Sequence, residues 1–309
     1  MRSGISTIID GRLLYRGCDA AELSETATLE EVAALLWQMD FDNLTIGNNE
    51  TNMVGNQIGT TPLERLFAVF GLRAANDLPS SGRSAAILQR EAFGLLQLFH
   101  NTVLGVPSSN MPIHERIALA WQRPRASDLI RRVLVLLADH ELNASTFAAR
   151  VAASTGAPLS AATLAGLSTL IGPRHGRAAA TSAAIVVQAR EIGAEAAIKD
   201  KLRQGAQFHF FGHPLYRETG DARASALLEH LELPTPYRDL ERSATDILGE
   251  KPNVDFALAA ATEVYDLPLD APLLLFALAR VVGWLAHALE QVDNGSFIRP
   301  RAEFTPPLE

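Results

Sequence analysis

The chain has 309 residues, and at about 150 residues per domain this allows roughly two domains or one large lobed one with a substantial core. Hydrophobic residues make up 48 % and charged residues 20 %, which excludes whole-chain disorder, and 27 Lys plus Arg against 35 Asp plus Glu leave a net charge of −8, so no general attraction to nucleic acid or anionic lipid is expected. One cysteine, Cys18, cannot form an internal disulfide or a thiolate metal cluster, which excludes disulfide-rich secreted scaffolds and zinc fingers together and makes a reducing cytoplasm the expected location. Cys18 itself is expected to be a small packing residue. The segment from Met1 to Ser6 lacks the apolar stretch of a secretory signal, and no targeting segment is expected.

Along the chain, Ile8-Ile9 and Leu13-Leu14 flank Asp10-Gly11, the one place where a hairpin is expected, as a minor feature. Elsewhere apolar residues recur at three- and four-residue spacing, the helical period. Thr28-Leu-Glu-Glu31 reads as a capping box and predicts a helix over about 29–38, with Val32, Leu35 and Leu36 in one stripe. Residues 40–60, with five Asn and three Gly, form a polar loop, and 77–84 a shorter one. Ser127 is expected to cap a helix whose Leu129, Ile130, Val133, Leu134, Leu136 and Leu137 cover so much of its circumference that it must be buried, ending near Asp139-His140-Glu141. Pro158 lies in a first helical turn and Gly172-Pro173 closes that run, which places Arg174-His175-Gly176 at a helix junction. Helices over about 177–192 and 194–204 end at Gly193 and Gly205, and Asp221 caps another running to about Leu231. The last long helix takes Asp270 as cap, has Pro272 in its first turn and closes at Asn294-Gly295. Its most apolar stretch, Leu273 to Ala279, is broken by Arg280 long before the ~20 residues of a bilayer crossing, so no membrane span is expected. With no internal repeat, the predicted fold class is all-α, with lobes that interleave in sequence.

Four of the eight histidines, His140, His175, His209 and His213, lie at helix junctions rich in Gly, Pro or charge. The others, His100, His114, His230 and His287, are expected to be solvated or at the core edge. His209 and His213 are four apart, but Gly212 and Pro214 break a regular helix there and no carboxylate lies between them, so no metal site is expected. No G-x-S-x-G elbow, G-x-G-x-x-G fingerprint or Gly-Lys-Ser/Thr phosphate loop occurs. What remains is the loop histidines, Asp255, and arginines at 217, 223, 280, 299 and 301. Guanidinium forks match carboxylates, so arginines near neutral proton shuttles point to a polycarboxylate substrate undergoing proton transfer. Each arginine alone reads as a surface salt bridge. Arg280 is different: it interrupts the apolar face of Leu278, Val281, Val282, Trp284 and Leu285, where an unpaired cation carries a large desolvation cost, so an anionic partner is expected.

These residues resemble the citrate synthase family over roughly residues 4–304. Gly4-Ile-Ser to Asp10-Gly and Leu14-Tyr-Arg-Gly17 resemble its opening. Ala138-Asp-His-Glu-Leu-Asn-Ala-Ser-Thr-Phe147, Gly172-Pro-Arg-His-Gly176, Phe211-Gly-His213, Asp221-Ala-Arg223, Pro252-Asn-Val-Asp-Phe256, and Ala279-Arg-Val-Val-Gly-Trp-Leu-Ala-His287 with Ile298-Arg-Pro-Arg-Ala302 follow in the family's order. The resemblance implies a multi-helical homodimer with a large lobe (residues 1–177 and 262–309) and a small lobe (178–261) that closes over the substrates. It implies a citrate synthase-type acyltransferase of the tricarboxylic acid cycle that condenses acetyl-CoA with oxaloacetate to give citrate and free CoA. The CoA thioester would be a co-substrate, and no cofactor or metal would be held permanently. By resemblance Asp255 takes the α-proton of acetyl-CoA, His175 hydrogen-bonds the thioester oxygen, and His213 polarises the oxaloacetate carbonyl. His140, Arg223 and Arg280 would hold the oxaloacetate carboxylates, Arg299 would complete the partner subunit's site, and Arg217 in the 207–217 segment would meet CoA.

The chain departs from the family's pattern at Leu137 (a histidine in the family), at Ala179 (Asn), at Arg177 (a small residue), at Ala257-Leu258 (Tyr-Ser), and by an extra residue between His213 and Arg223. Phe210 stands where the family has a glycine, and a bulky ring there is expected to reshape the acyl-CoA site. These changes argue for shifted substrate preference, so a 2-methylcitrate synthase using propionyl-CoA is the near alternative, and a weakly active paralogue that senses acyl-CoA or a dicarboxylate is the alternative of another class.

Overall fold

The structure, a computed structural model, describes residues 1–39, 59–107, 109–173, 175–176, 178–206 and 208–305. The expected polar loop at 40–60 therefore falls almost wholly outside the described residues, as do Arg174 and Arg177. The N-terminal hairpin forms as expected: β1 (Ser6–Ile9) pairs antiparallel with β2 (Arg12–Tyr15), Ser6 opposite Tyr15. Asp10 (φ 51°) and Gly11 (φ 76°) supply the two left-handed residues that a two-residue turn needs. A short β3 (Cys18–Asp19) extends the sheet and leaves Cys18 exposed, contrary to the expected packing role. Tyr15 is fully buried, and its hydroxyl lies 3.0–3.2 Å from the carbonyls of Val135, Leu136 and Asp139, capping orphan carbonyls at a helix end.

The rest is all-α. Asp19 caps α1 (Ala20–Thr26), and α2 (Leu29–Trp37) starts with the expected capping box, Glu31 Oε2 accepting from Thr28 N at 2.7 Å. A second box, Thr61 with Glu64, opens α3 (Pro62–Asn76). Then come α4 (Ala85–Leu104), α5 (Ile113–Ala120), α6 (Ser127–Leu137), α7 (Ala144–Ser154) and α8 (Leu159–Leu170). Ser127 is not a cap: a 3-10 turn over Pro124–Ala126 runs straight into α6 and makes Ser127 its first helical residue. The chain continues with α9 (Ala178–Ile192), α10 (Ala194–Arg203), α11 (Ala222–Leu228), α12 (Thr235–Leu248) and α13 (Val254–Val264), which pack chiefly on one another. Asp221 caps α11 as expected, but the helix stops three residues short of Leu231.

The central element is α14 (Ala271–Asn294), which packs on α2, α4, α6, α7 and α8. Arg280 does not break it. By length and composition α14 could cross a membrane, yet 83 % of its apolar window is buried inside the protein. Two glycines allow neighbours to approach closely. A Cβ on Gly166 of α8 would lie 2.6 Å from the Trp284 ring, and one on Gly283 would lie 2.5 Å from the carbonyl of Ala138, to which Gly283 N donates at 3.0 Å. That contact seats the Asp139-His140 loop on α14.

Candidate active site

The candidate residues come from the loops between helices, from the first turns of helices and, for Arg280, from a buried helix face. His140 follows α6, His175 lies between α8 and α9, His213 lies between α10 and α11, and Asp255 is in the first turn of α13. Together with Arg217, Arg223 and Arg280 they line one cleft of about 650 Å³.

The position of Asp255 relative to His213 is set by backbone stitching. Gly212 N donates to Lys251 O (2.8 Å) and Asn253 N to Phe210 O (3.1 Å), while the Asn253 amide donates to the carbonyls of His209 (2.8 Å) and Gly212 (3.1 Å). Asn253 Oδ1 caps α13 by accepting from Asp255 N at 3.0 Å. Glycine suits position 212, since its φ of +71° lies in the left-handed region that strains other residues. Desolvation pushes the Asp255 carboxyl up to about 7, Arg223 opposing the shift and Asp221 adding to it.

The histidines are held neutral. Burial, then the charge of Arg223, bring His213 down to about 4, and its Nδ1 accepts from Leu215 N at 3.2 Å, which assigns its proton to Nε2. Its ring centroid is 5.2 Å from that of His140 and 5.1 Å from that of Tyr216. His140, buried and pushed well below the ordinary imidazole range, meets the Tyr216 hydroxyl through Nε2 at 3.0 Å. Burial, then Arg280, bring His175 down to about 4, and its Nε2 lies 2.9 Å from Ser145 Oγ. Ser145 Oγ is also 2.9 Å from Asn143 Oδ1, but that oxygen already accepts from the backbone of Ser145 and Thr146 at 3.1 Å each. With both lone pairs taken, the serine proton goes to His175 Nε2, Trp284 Nε1 donates to Ser145 at 3.2 Å, and His175 is left with an Nδ1–H.

The two arginines differ. Arg223 forks onto Asp221, Nε at 2.9 Å and Nη2 at 2.7 Å; burial opposes its charge, but Asp221 outweighs burial and holds the guanidinium above its usual value. The extra residue before it therefore does not carry it away from the cleft. Arg280 is 1 % exposed, and no described carboxylate pairs with it. The expected anionic partner is missing: Nε donates to Leu137 O (2.8 Å), the Phe276 ring lies 4.6 Å from Cζ, and Nη2 is buried without a hydrogen bond. Desolvation brings it down to about 10.

Not every expected residue converges. Arg217 does line the cleft, with an exposed side chain, whereas Arg299 is exposed beyond α14, outside the residues lining the cleft. Phe210 does not reshape the cleft: it is 2 % exposed, lines none of it, and packs its ring on Phe208 and Phe211 at centroid distances of 5.7 and 5.0 Å. Leu137 is buried in the core and contributes its carbonyl, Ala257 and Leu258 are buried, and the Ala179 side chain falls outside the described set. His100 and His287 are buried, not solvated, at 1 % and 0 % exposure. Asn143, Ser145, Tyr216 and Asn253 were not singled out from the sequence; Asn-x-Asp in 253–255 and Asn-x-Ser in 143–145 are cap signatures that could have marked two of them. No group of three or more potential metal ligands occurs among the described residues.

Residues 76–301 match the family model for the citrate synthase C-terminal domain. The chain is 32 % identical to citrate synthase 2 of Bacillus subtilis, over 99 % of this chain and 93 % of that protein. It is 35 % identical to 2-methylcitrate synthase 2 of Corynebacterium glutamicum, over 55 % of this chain and 47 % of that one. The structure superposes with a TM-score of 0.80 and 25 % identity on the citrate synthase of Thermoplasma acidophilum, solved as a ternary complex with carboxymethyl-coenzyme A and oxaloacetate, over 100 % of this chain and 94 % of that one. The chain belongs to the citrate synthase family, transferases that condense an acyl-CoA with oxaloacetate, use the CoA thioester as co-substrate and hold no permanent cofactor.

Proposed function

We propose that this chain condenses acetyl-CoA with oxaloacetate and hydrolyses the citryl thioester to citrate and free CoA. The observation that carries the reading is the convergence of a carboxylate, two neutral imidazoles with assigned donors and an unpaired buried guanidinium on one cleft. A thioester α-proton is too weakly acidic for a carboxylate to remove alone, so negative charge developing on oxygen needs a donor already in place. Asp255 takes the proton from the acetyl methyl group while the Nδ1–H of His175 donates to the thioester oxygen. The enol carbon then bonds to the keto carbon of oxaloacetate, whose oxygen gains charge against the Nε2–H of His213. Water finally cleaves the C–S bond, and the thiol leaves as CoA.

Arg280 supports the dicarboxylate assignment, because an oxaloacetate carboxylate would supply the anion that the apolar face of α14 lacks. Arg223 and His140 hold the same substrate, and Arg217 meets CoA at the mouth. Asp255 keeps some exposure to the cleft. In this reading residues 178–261 close over the flanking 1–177 and 262–309, expel water and strengthen each contact. The chain works as a homodimer: Arg299 sits in a segment without regular secondary structure, with Phe297 and Phe304 exposed at 62 % and 83 %, side chains suited to packing on a second copy, and completes the partner's site.

The test is oxaloacetate-dependent release of CoA thiol from acetyl-CoA, with the rate lost in Asp255→Ala and His213→Ala. One methyl group separates acetyl from propionyl by only about 1–3 kcal/mol, so the same assay run across acyl-CoAs reads the preference, and faster release from propionyl-CoA would make the product 2-methylcitrate. Ligand binding with no thiol release from acetyl-, propionyl- or butyryl-CoA would end the catalytic reading.

A further inference from the structure

Arg280 lines the cleft, and behind it lies Asp139, outside the lining; both are buried, and each responds to the other's charge. Each also carries an atom with no hydrogen bond, Asp139 Oδ1 and Arg280 Nη2. No ion pair joins them, although opposite charges in a low-dielectric interior gain strongly by pairing. Something holds the carboxylate back.

The restraint is a chain of buried polar groups that the catalytic reading does not use. Asp139 Oδ2 accepts from the Ser6 hydroxyl, and His287 Nε2 lies 3.2 Å from the same oxygen. Arg150 Nη1 lies 2.9 Å from His287 Nδ1; an arginine can only donate, so the imidazole proton is on Nε2 and points at Asp139. Arg150 is fixed in turn by Gln291 Oε1 at 2.7 Å and Glu290 Oε2 at 2.5 Å. Ser6 also accepts from Glu141 N at 2.9 Å, and Ile8 N donates to Glu141 Oε1 at 2.7 Å, so the hairpin braces the loop, in which Glu141 has φ 50°. Oδ1 lies against the missing side chain of Gly283, where a Cβ would come within 2.3 Å.

We propose that His287, locked by Arg150 and assisted by Ser6, holds the Asp139 carboxylate off Arg280, so that the guanidinium stays free for the substrate's carboxylate. His287 is a positioning residue, and Asp139 is a latent internal competitor. The inference rests on the reading of Arg280 as a carboxylate-binding group and adds how that group is kept unoccupied.

The decisive measurement is the split between KM for oxaloacetate and kcat. His287→Leu removes the restraint, Asp139 pairs with Arg280, and KM rises about ten-fold or more with kcat largely kept. His287→Gln, whose amide can still donate to Asp139, restores KM towards the wild-type value. The double variant His287→Leu/Asp139→Asn also lowers KM relative to His287→Leu, because the competing charge is gone. A merely structural His287 would make the double variant as poor as the single or worse, which would overturn the proposal, as would an unchanged KM in His287→Leu. Should His287→Leu fail to fold, Ser6→Ala and Ser6→Ala/Asp139→Asn, at a partly exposed site, are expected to shift KM in the same two directions by a smaller factor, and no shift there would overturn it too. Wild-type thiol release measured alongside separates the failures: no turnover ends the functional reading, whereas normal turnover with indifferent variants ends this one alone.

Discussion

Replacing Asp255 with asparagine should abolish condensation and at the same time stabilise the free protein, by an amount that grows with pH. The carboxyl titrates at about 7 in the folded chain against an ordinary 3.8. Below pH 4 it is protonated in both states and contributes nothing. As pH rises from 4 to 7 the unfolded chain ionises first, the native state holds the extra proton, and stability falls; above 7 both states are ionised and the loss is constant. About three pKa units at 1.36 kcal/mol each set a ceiling of about 4 kcal/mol, and partial exposure to the cleft screens this to about 2 kcal/mol. Thermal melts of wild type and Asp255→Asn at pH 4, 6 and 8 should therefore coincide at pH 4 and separate by several degrees at pH 8, the variant higher. A difference independent of pH, or a less stable variant at pH 8, would refute the claim that the base is held in a poorly solvated position. The same shift requires kcat/KM of the wild type to rise with pH through about 7, where the carboxylate forms.

Two further outcomes follow from buried groups. Arg280→Met should be more stable than wild type without ligand, by up to about 3 kcal/mol in urea unfolding, because a cation whose pKa falls to about 10 costs stability at every pH below that value. Oxaloacetate should raise the melting temperature of the wild type and not of this variant. Phe210→Leu should lose about 1 kcal/mol of stability yet leave both KM values within about two-fold, since the ring packs on Phe208 and Phe211 and lines no part of the cleft; a large change in the acyl-CoA KM would mean that the ring shapes the site after all.

How much could be read in advance depended on the range of the interaction. The capping box at Thr28, the Asp10-Gly11 turn and the glycine stop at Gly295 are set within a few residues of each other, and each formed where its local chemistry placed it. The catalytic candidates were legible because polar groups crowd at helix junctions, where a buried helix must release its chain. Whether those junctions meet is a long-range matter. His140, His175, His213 and Asp255 share a cleft because Asn253 ties two loops together and Gly283 lets the Asp139-His140 loop rest on α14. Arg280 was expected to be paired, and only packing revealed that no described carboxylate reaches it. The role of His287 was not legible in the sequence, since its partners lie 137 and 148 residues away. Short-range hydrogen bonding and hydrophobic periodicity thus determined the helices and the list of candidate groups, while burial and distant pairing decided which groups converge, which proton each imidazole carries and which cation is left without an anion.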